Sequence, residues 1–412
     1  MAQLNITLNQ DEILLLLTSD RDETFKRLLQ ESLNAILRAE SSEQIGAEPY
    51  ERNSDRTDSR NGIRERSLTT RIGKIILQVP RHRNAPFKTL VFDNYCRSEA
   101  ALVVCMAEMV VNGVSTRKVS NVMETICGTS FSKSTVSEAC KELDAVVKAF
   151  TDRPLEGRYP FVTFDATYFK MRENGRIISK AFMIAYGTNE KGLREILGFG
   201  VYDNESNATW TEFLTGLRKR GLDGILMITS DAHEGLLNAI GKVFPTVPWQ
   251  RCQFHFSRNI SDSVPKKYQP GIRAELQEML NSKTLEEARE KRDRIIAEYQ
   301  DVAETAMRCL DEGFEDAMTV MVLPEYLRKF YRTSNHIERL NRELKRRSKV
   351  IGVFPNEASI MRLMGSVLIE RNDALMTNKA IFSSKTYDSL LQSEVPKKLI
   401  IIASEQQKLR AA

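Results

Sequence analysis

The periodicity of the chain changes at Tyr159, and that change constrains the fold more than any other feature. Before it, residues about 97–150 read as helices. From Tyr159 to Phe169 apolar residues alternate or run together, with Val162, Phe164 and Phe169 among them. Ser179–Gly187 and Glu195–Tyr202 are two further strand candidates, with turn-like segments at Asn189-Glu190-Lys191-Gly192 and Asp203-Asn204. Three strands at such close spacing predict an antiparallel meander. A helix over about Thr209–Arg220 follows, and then a buried strand, Gly224–Thr229, that ends at Ser230-Asp231. A second helix runs through Leu236, Leu237, Ile240 and Val243, and Val247–Cys252 makes a fifth strand. The order β-β-β-α-β-α-β predicts a mixed sheet with helices packed on it.

The remaining segments flank or interrupt that sheet. At 412 residues the chain has room for about two to four domains. Residues about 22–40 place Phe25, Leu28, Leu29, Leu33, Ile36 and Leu37 on one helical face. Residues 51–71 are polar and rich in arginine, with a turn expected at Asn61-Gly62, and read as a linker or as an arm that orders on a partner. A short strand, Lys74–Val79, follows Gly73 and ends at Pro80. Ser115 and then Ser132 or Ser134 are placed to cap two short helices broken at Gly128, the pattern of a helix-turn-helix or of an ordinary helical hairpin. In a helix-turn-helix the second helix enters the major groove by its N-terminal side chains. Residues about 271–318 return to a period of 3.6 and read as an all-helical insertion, and a long helix spans about Ser334–Arg347. No repeat or low-complexity tract is present.

Composition narrows the functional classes. With 42% hydrophobic and 28% charged residues, the chain is neither collagen-like nor wholly disordered. Its N-terminal apolar run, Ile13–Leu17, is far below the ~20 residues of a spanning helix, and Asp11 and Glu12 precede it. The six cysteines, at 96, 105, 127, 140, 252 and 309, are scattered and read as reduced thiols. A soluble cytoplasmic protein with no membrane partner is expected. The net charge of +5 is mild, but positive charge concentrates in Arg52–Lys88 and Arg339–Lys349, a distribution that suits a nucleic-acid partner. Walker-type loops, dinucleotide fingerprints, Gly-x-Ser-x-Gly elbows and paired zinc-protease histidines are all missing from the sequence.

Two aspartates stand where a carboxylate is costly. Asp165 lies inside Phe161-Val162-Thr163-Phe164-Asp165, and Asp231 ends the strand Ile225–Ser230. Each alone could be a cap or a salt-bridge partner. Brought together they would repel, and a divalent cation removes the conflict; hard oxygen ligands favour Mg²⁺ or Mn²⁺. Glu338 is the candidate third group. It lies one turn into the helix that then becomes basic, with Arg339, Arg342, Lys345, Arg346, Arg347 and Lys349 against Glu343 alone. A carboxylate beside a phosphate-binding face is what metal-assisted phosphoryl transfer requires, although an exposed charged helix would look the same. Cys252 and His255 form Cys-x-x-His after the fifth strand. Two ligands do not make a structural zinc site, so a site-shaping role is expected for them and for Asn335 beside Glu338. Trp210 and Trp249 read as core residues, with stacking on flipped bases as the rival use.

Together these segments resemble bacterial insertion-sequence transposases of the Mutator type. The resemblance is carried by Phe164-Asp165-Ala166-Thr167-Tyr168, Thr229–Leu236, Gln250–His255 and Thr333–Glu338 through Phe354-Pro355. Upstream, Arg60-Asn61-Gly62, Val79-Pro80-Arg81 and Gly113–Arg117 add to it. It implies an RNase H-like catalytic domain with an Asp-Asp-Glu triad at Asp165, Asp231 and Glu338, interrupted by a helical insertion and using Mg²⁺ (or Mn²⁺). The implied division is an N-terminal helix and basic arm (1–93), a helix-turn-helix region (94–150), the catalytic domain in two parts (151–268 and 326–380), the insertion (269–325) and a C-terminal tail (381–412). The implied activity is to bind terminal inverted repeats, cleave element ends and join the freed 3′ hydroxyls to target DNA. Arg117, Lys133 and Ser134 are the expected base-side contacts, and Arg339, Arg342, Lys345, Arg346 and Arg347 the expected phosphate contacts. Synapsis of two ends implies a homodimer or larger assembly on DNA, at the nucleoid. A catalytically silent DNA-binding descendant and a structure-specific nuclease are the rival readings.

Overall fold

Tyr159 to Cys252 folds in the order its periodicity predicts. In the computed structural model the described residues are 21–51, 54, 56–70, 73–89, 100–127 and 131–411. They divide into two units, 1–142 and 143–412.

In the first unit, α1 (Arg21–Ile45) packs on a hairpin of β1 (Arg60–Thr70) and β2 (Gly73–His82). Leu37 of the helix meets Leu68, Ile75, Leu77 and Val79 of the strands. The helix also satisfies the strand edge, because Gln30 and Asn34 accept the backbone N–H groups of Ile76 and Gln78 at 2.9 and 2.7 Å. The hairpin corrects the expectation of an arm or linker over 51–71. Residues 60–70 are a strand, and Asn61-Gly62 is not its turn: Gly62 (φ +80°) sits at a register shift between Arg60 and Ile63. Three helices, α2 (Ala100–Val111), α3 (Thr116–Cys127) and α4 (Lys133–Cys140), share a core of Leu102, Met106, Val119, Met123, Phe131 and Val136. Ser132 caps α4 by accepting the Thr135 N–H at 3.0 Å. Gly128, Cys96 and Ile13–Leu17 lie outside the described residues.

The second unit begins with α5 (Leu143–Asp152) and is built on a five-stranded sheet. The meander β3 (Phe161–Glu173), β4 (Arg176–Thr188) and β5 (Arg194–Tyr202) is antiparallel, and β6 (Met227–Ser230) and β7 (Trp249–Arg251) join it parallel, in the order β5-β4-β3-β6-β7. Between them run α6 (Asn207–Lys219) and α7 (Glu234–Val243). Period two sends Val162 and Phe164 to one face, where they meet Trp210, Leu214, Leu236 and Ile240 of these helices. Both tryptophans are fully buried, and the Trp249 indole N–H donates to Ser230 Oγ at 2.8 Å, so core packing is their role.

After β7 the chain turns helical: α8 (Gln253–Asp262), α9 (Gln269–Leu280), α10 (Leu285–Tyr299) and α11 (Glu304–Met318) enclose Phe256, Ile272, Leu276, Ile295, Leu310 and Phe314. A 3₁₀ turn (Thr319–Val322), α12 (Glu325–Tyr331) and α13 (Asn335–Ser348) bring it back to the sheet. The last helices are α14 (Glu357–Met376), α15 (Ser384–Gln392) and α16 (Val395–Ala411). Residues 381–411 are therefore packed structure: Phe382, Tyr387, Leu390 and Leu399 cover Phe161 and Met227, and Gln406 accepts the Trp249 N–H at 2.8 Å. Among the described residues no helix is long and apolar enough to cross a membrane.

Candidate active site

The pleat of β3 decides which groups meet. Phe161, Thr163 and Asp165 point to the same face, opposite Val162 and Phe164. Each of the three is engaged by the segment returning from the helical region. Phe161 stacks on Tyr331 at a ring-centroid distance of 3.9 Å, Thr163 Oγ1 lies 3.1 Å from His336 Nε2, and Asp165 Oδ2 accepts from Asn341 Nδ2 at 2.7 Å. These contacts lay α13 along the strand, and Glu338 falls between His336 and Asn341. Burial pushes the His336 imidazole down to about 3, so it enters this contact neutral.

The two aspartates are related by strand register. β3 and β6 are parallel with Thr163 opposite Thr229, so Asp165 and Asp231 each stand two residues beyond a matched pair. Each aspartate accepts the N–H of the alanine that follows it, Ala166 at 2.9 Å and Ala232 at 2.8 Å. Gly235, the second residue of the helix after Asp231, lies against the loop that leads into α6; a Cβ there would come within 2.5 Å of the Glu205 carbonyl oxygen.

Cys252 and His255 tie this edge to Glu338. Cys252 is buried at the start of α8, and its Sγ accepts from the Ser334 N–H at 3.3 Å and the Ser334 hydroxyl at 3.2 Å. Ser334 is the residue that begins α13. The far end of the same helix is also fastened, since Phe354 pairs with β3 through Lys170 and Arg172 at 2.9 and 2.8 Å. His255, one turn into α8, lies 3.9 Å from Asp231 Oδ1 through Nδ1 and 3.6 Å from Glu338 Oε1 through Nε2. It stands between the second aspartate and the glutamate.

The electrostatics are those of partly buried acids grouped around one imidazole. Burial pushes the Asp165 carboxyl up to about 7; the Ala166 N–H and His255 oppose the rise, and Asp231 and Glu205 add to it. The Cys252 sulfur, then Asp231 and Glu338, raise His255 to about 9 against its desolvation. Burial raises the Cys252 thiol, but its contacts with His255 and Ser334 outweigh that and hold it below its ordinary value. Glu338 Oε1 is buried without a hydrogen-bond partner. Among the described residues the one set of candidate ligands whose atoms all lie within 4.8 Å is Cys252, His255 and Glu338. Asp165 and Asp231 stand around that set and not inside it.

The basic residues of α13 separate by face. Arg339, Arg342, Lys345, Arg346 and Lys349 are exposed, with Asn335 exposed at the start of the same helix. Arg347 is different: 5% exposed, it pairs with Glu343 at 2.8 Å and is part of the packing. Arg346 shares that carboxylate at 2.7 Å from the solvent side. In the first unit Arg117, Lys133 and Ser134 are exposed at the starts of α3 and α4. The residue that sequence reasoning passed over is Asn341. Its one signal was its place three residues after Glu338, on the same face of the helix.

The chain that carries these carboxylates has known relatives. Residues 2–378 match the family described as "Transposase, Mutator family", and the chain belongs to that family. Its similarity extends to individual insertion-sequence enzymes. It is 42% identical over 391 residues to the transposase for insertion sequence element IS256 in transposon Tn4001 of Staphylococcus aureus, covering 94% of this chain and 99% of that one. It is 38% identical to the transposase for ISRM5 of Rhizobium meliloti, over 86% of this chain and 88% of that one. With the transposase for IS1081 of Mycobacterium tuberculosis it shares 37% identity over 85% of each.

Proposed function

We propose that the chain cuts and joins the DNA of its insertion sequence at Asp165, Asp231 and Glu338, in a catalytic domain of the RNase H-like type. The observation that carries this reading is the seating of α13 on β3 through Asn341 and Asp165, with His255 between Asp231 and Glu338. In this reading residues far apart in the chain supply three carboxylates around β3, β6 and the start of α13, next to the exposed cationic face of that helix.

Three carboxylates offer the hard oxygen donors that a divalent cation takes. Glu338 Oε1 is buried and accepts no hydrogen bond, with His255 3.6 Å away, and burial and a second carboxylate disfavour the charge on Asp165. Asp165, Asp231 and Glu338 would hold Mg²⁺ or Mn²⁺, which when bound supplies Lewis-acid activation of the phosphate and a more acidic attacking hydroxyl. Asn341 fixes the Asp165 carboxylate, and the Cys252–Ser334 contact fixes the origin of the helix that bears Glu338. Arg339, Arg342, Lys345 and Arg346 face solvent where a phosphate backbone would lie. In the first unit α3 and α4 act as a helix-turn-helix, with Arg117, Lys133 and Ser134 exposed at the helix starts toward DNA. Water displaces the 3′ oxygen of the element end at phosphorus, and the freed 3′ hydroxyl then displaces a target 3′ oxygen. Joining two ends in one event calls for at least two copies of the chain.

A supercoiled donor plasmid carrying both element ends tests this reading. With Mg²⁺ the wild-type protein should nick the ends and produce strand-transfer joints. End binding without nicking would make the chain a silent binder, and nicking without joints would make it a nuclease.

A further inference from the structure

Beside the carboxylates lies a pocket of about 380 Å³, walled by the first residues of α8 and α13 and by α9. We propose that it seats one unpaired nucleotide of the strand being cut, next to the scissile phosphate. The proposal rests on the transposase reading and specifies how the DNA end is held.

The pocket adjoins the site directly. Phe254 precedes His255, and the two rings meet edge to face with centroids 5.4 Å apart. Asn335 lies one turn before Glu338 on α13. A cavity of this size is near the lower end of small-ligand sites, roughly 300–1,000 Å³, too small for a duplex and of the right order for one nucleotide.

Its lining has the chemistry of a nucleotide site. Phe254 is 43% exposed, whereas Trp210 and Trp249, the residues that sequence reasoning weighed for base stacking, are buried. An exposed ring offers a face to any base, whatever its sequence. Around it stand the amides of Gln277 and Asn335, which match the donors and acceptors of a base edge, with Gln253 beneath them. Gln253 is almost fully buried; its Nε2 donates to the Ala317 carbonyl at 2.9 Å, while its Oε1 is buried without a partner. Two guanidiniums complete the wall. Arg332 is held by Asn281, to which its Nη1 donates at 2.7 Å, and Arg273 is 3.7 Å from Asp262. Guanidinium beside an aromatic face suits a phosphate joined to a base.

The test uses the full chain with Mg²⁺ and duplex oligonucleotides of the element end, fully paired or bearing one mismatch at successive positions around the cleavage site. Phe254→Ala should slow cleavage of the paired end by on the order of 10- to 100-fold, the range expected when one base–aromatic stack is removed. A mismatch at one position only should restore most of that rate, because the base is already unpaired there. Phe254→Trp should cleave the paired end near the wild-type rate. Wild-type cleavage with an equally fast Phe254→Ala variant would overturn the pocket's role. So would a defect that mismatches relieve nowhere, or relieve equally everywhere. A wild-type protein that binds these ends and cuts none of them would overturn the transposase reading itself.

Discussion

Asn341 donates its side-chain amide to Asp165 Oδ2 at 2.7 Å, and so fastens the helix carrying Glu338 to the strand carrying the first aspartate. Asn341→Ala removes that bond and leaves the Asp165 carboxylate held by the Ala166 N–H alone. Cleavage should fall by roughly 10- to 100-fold, since a misplacement of about 1 Å costs that much in a positioned reaction. End-DNA affinity in a gel-shift titration should be unchanged. Equal cleavage by the variant would mean that the bond orients nothing.

How much of this was legible beforehand follows from burial. Asp165 and Asp231 stood out because each breaks or ends an apolar run, and the succession of strands and helices along the chain followed from the same runs. Asn341 did not, because an asparagine on a polar helix gives no sign of what it faces. The β1 strand was hidden for a related reason: its outward residues are charged, and Leu68 and Thr70 are its buried side chains. A two-stranded hairpin with one wet face carries too short an apolar signal to separate it from a linker. The basic run on α13 was legible as charge but not by face, so Arg347 could not be told from Arg346 until its partner Glu343 was seen.

Cys252 joins the fifth strand to the start of α13 by accepting two hydrogen bonds from Ser334. Cys252→Ala leaves the buried Ser334 donors without an acceptor, at a cost of roughly 1–3 kcal/mol. The urea midpoint should drop, and cleavage should drop with it as Glu338 loosens. An unchanged midpoint would show that another group accepts from Ser334.

The exposed and buried arginines of α13 should behave oppositely. Arg339→Ala or Arg342→Ala should weaken binding to any DNA, with no change in melting temperature. The slope of log K against log salt should become shallower by about 0.9 for each phosphate that the variant no longer neutralises. Arg347→Ala should lower the melting temperature, because it leaves Glu343 without its buried partner. Salt-titrated affinities and thermal melts of the three variants distinguish these outcomes; a fully stable Arg347→Ala protein would contradict the assignment.

Glu343 supplies a pH signature. Arg346 first, and then Arg347, hold its carboxyl down to about 2 from an ordinary 4.5. The folded value lies below the unfolded one, so the stabilisation is complete above about 4.5 and drains away as pH falls toward about 2. Glu343→Gln should therefore be less stable than wild type at pH 7, by roughly 1–2 kcal/mol after allowance for the exposed Arg346. The gap should narrow at pH 3 in denaturant titrations. A gap independent of pH would assign the loss to shape and not to charge.

The convergence of Asp165, Asp231 and Glu338 is tested most directly by comparing Asp165→Asn, Asp231→Asn and Glu338→Gln with wild type for nicking of a supercoiled donor plasmid in Mg²⁺. All three should bind end DNA as wild type does and lose cleavage by on the order of a thousand-fold or more, the several kcal/mol that such a metal site contributes. Wild-type cleavage by any one of them would remove that residue from the site and contradict the account.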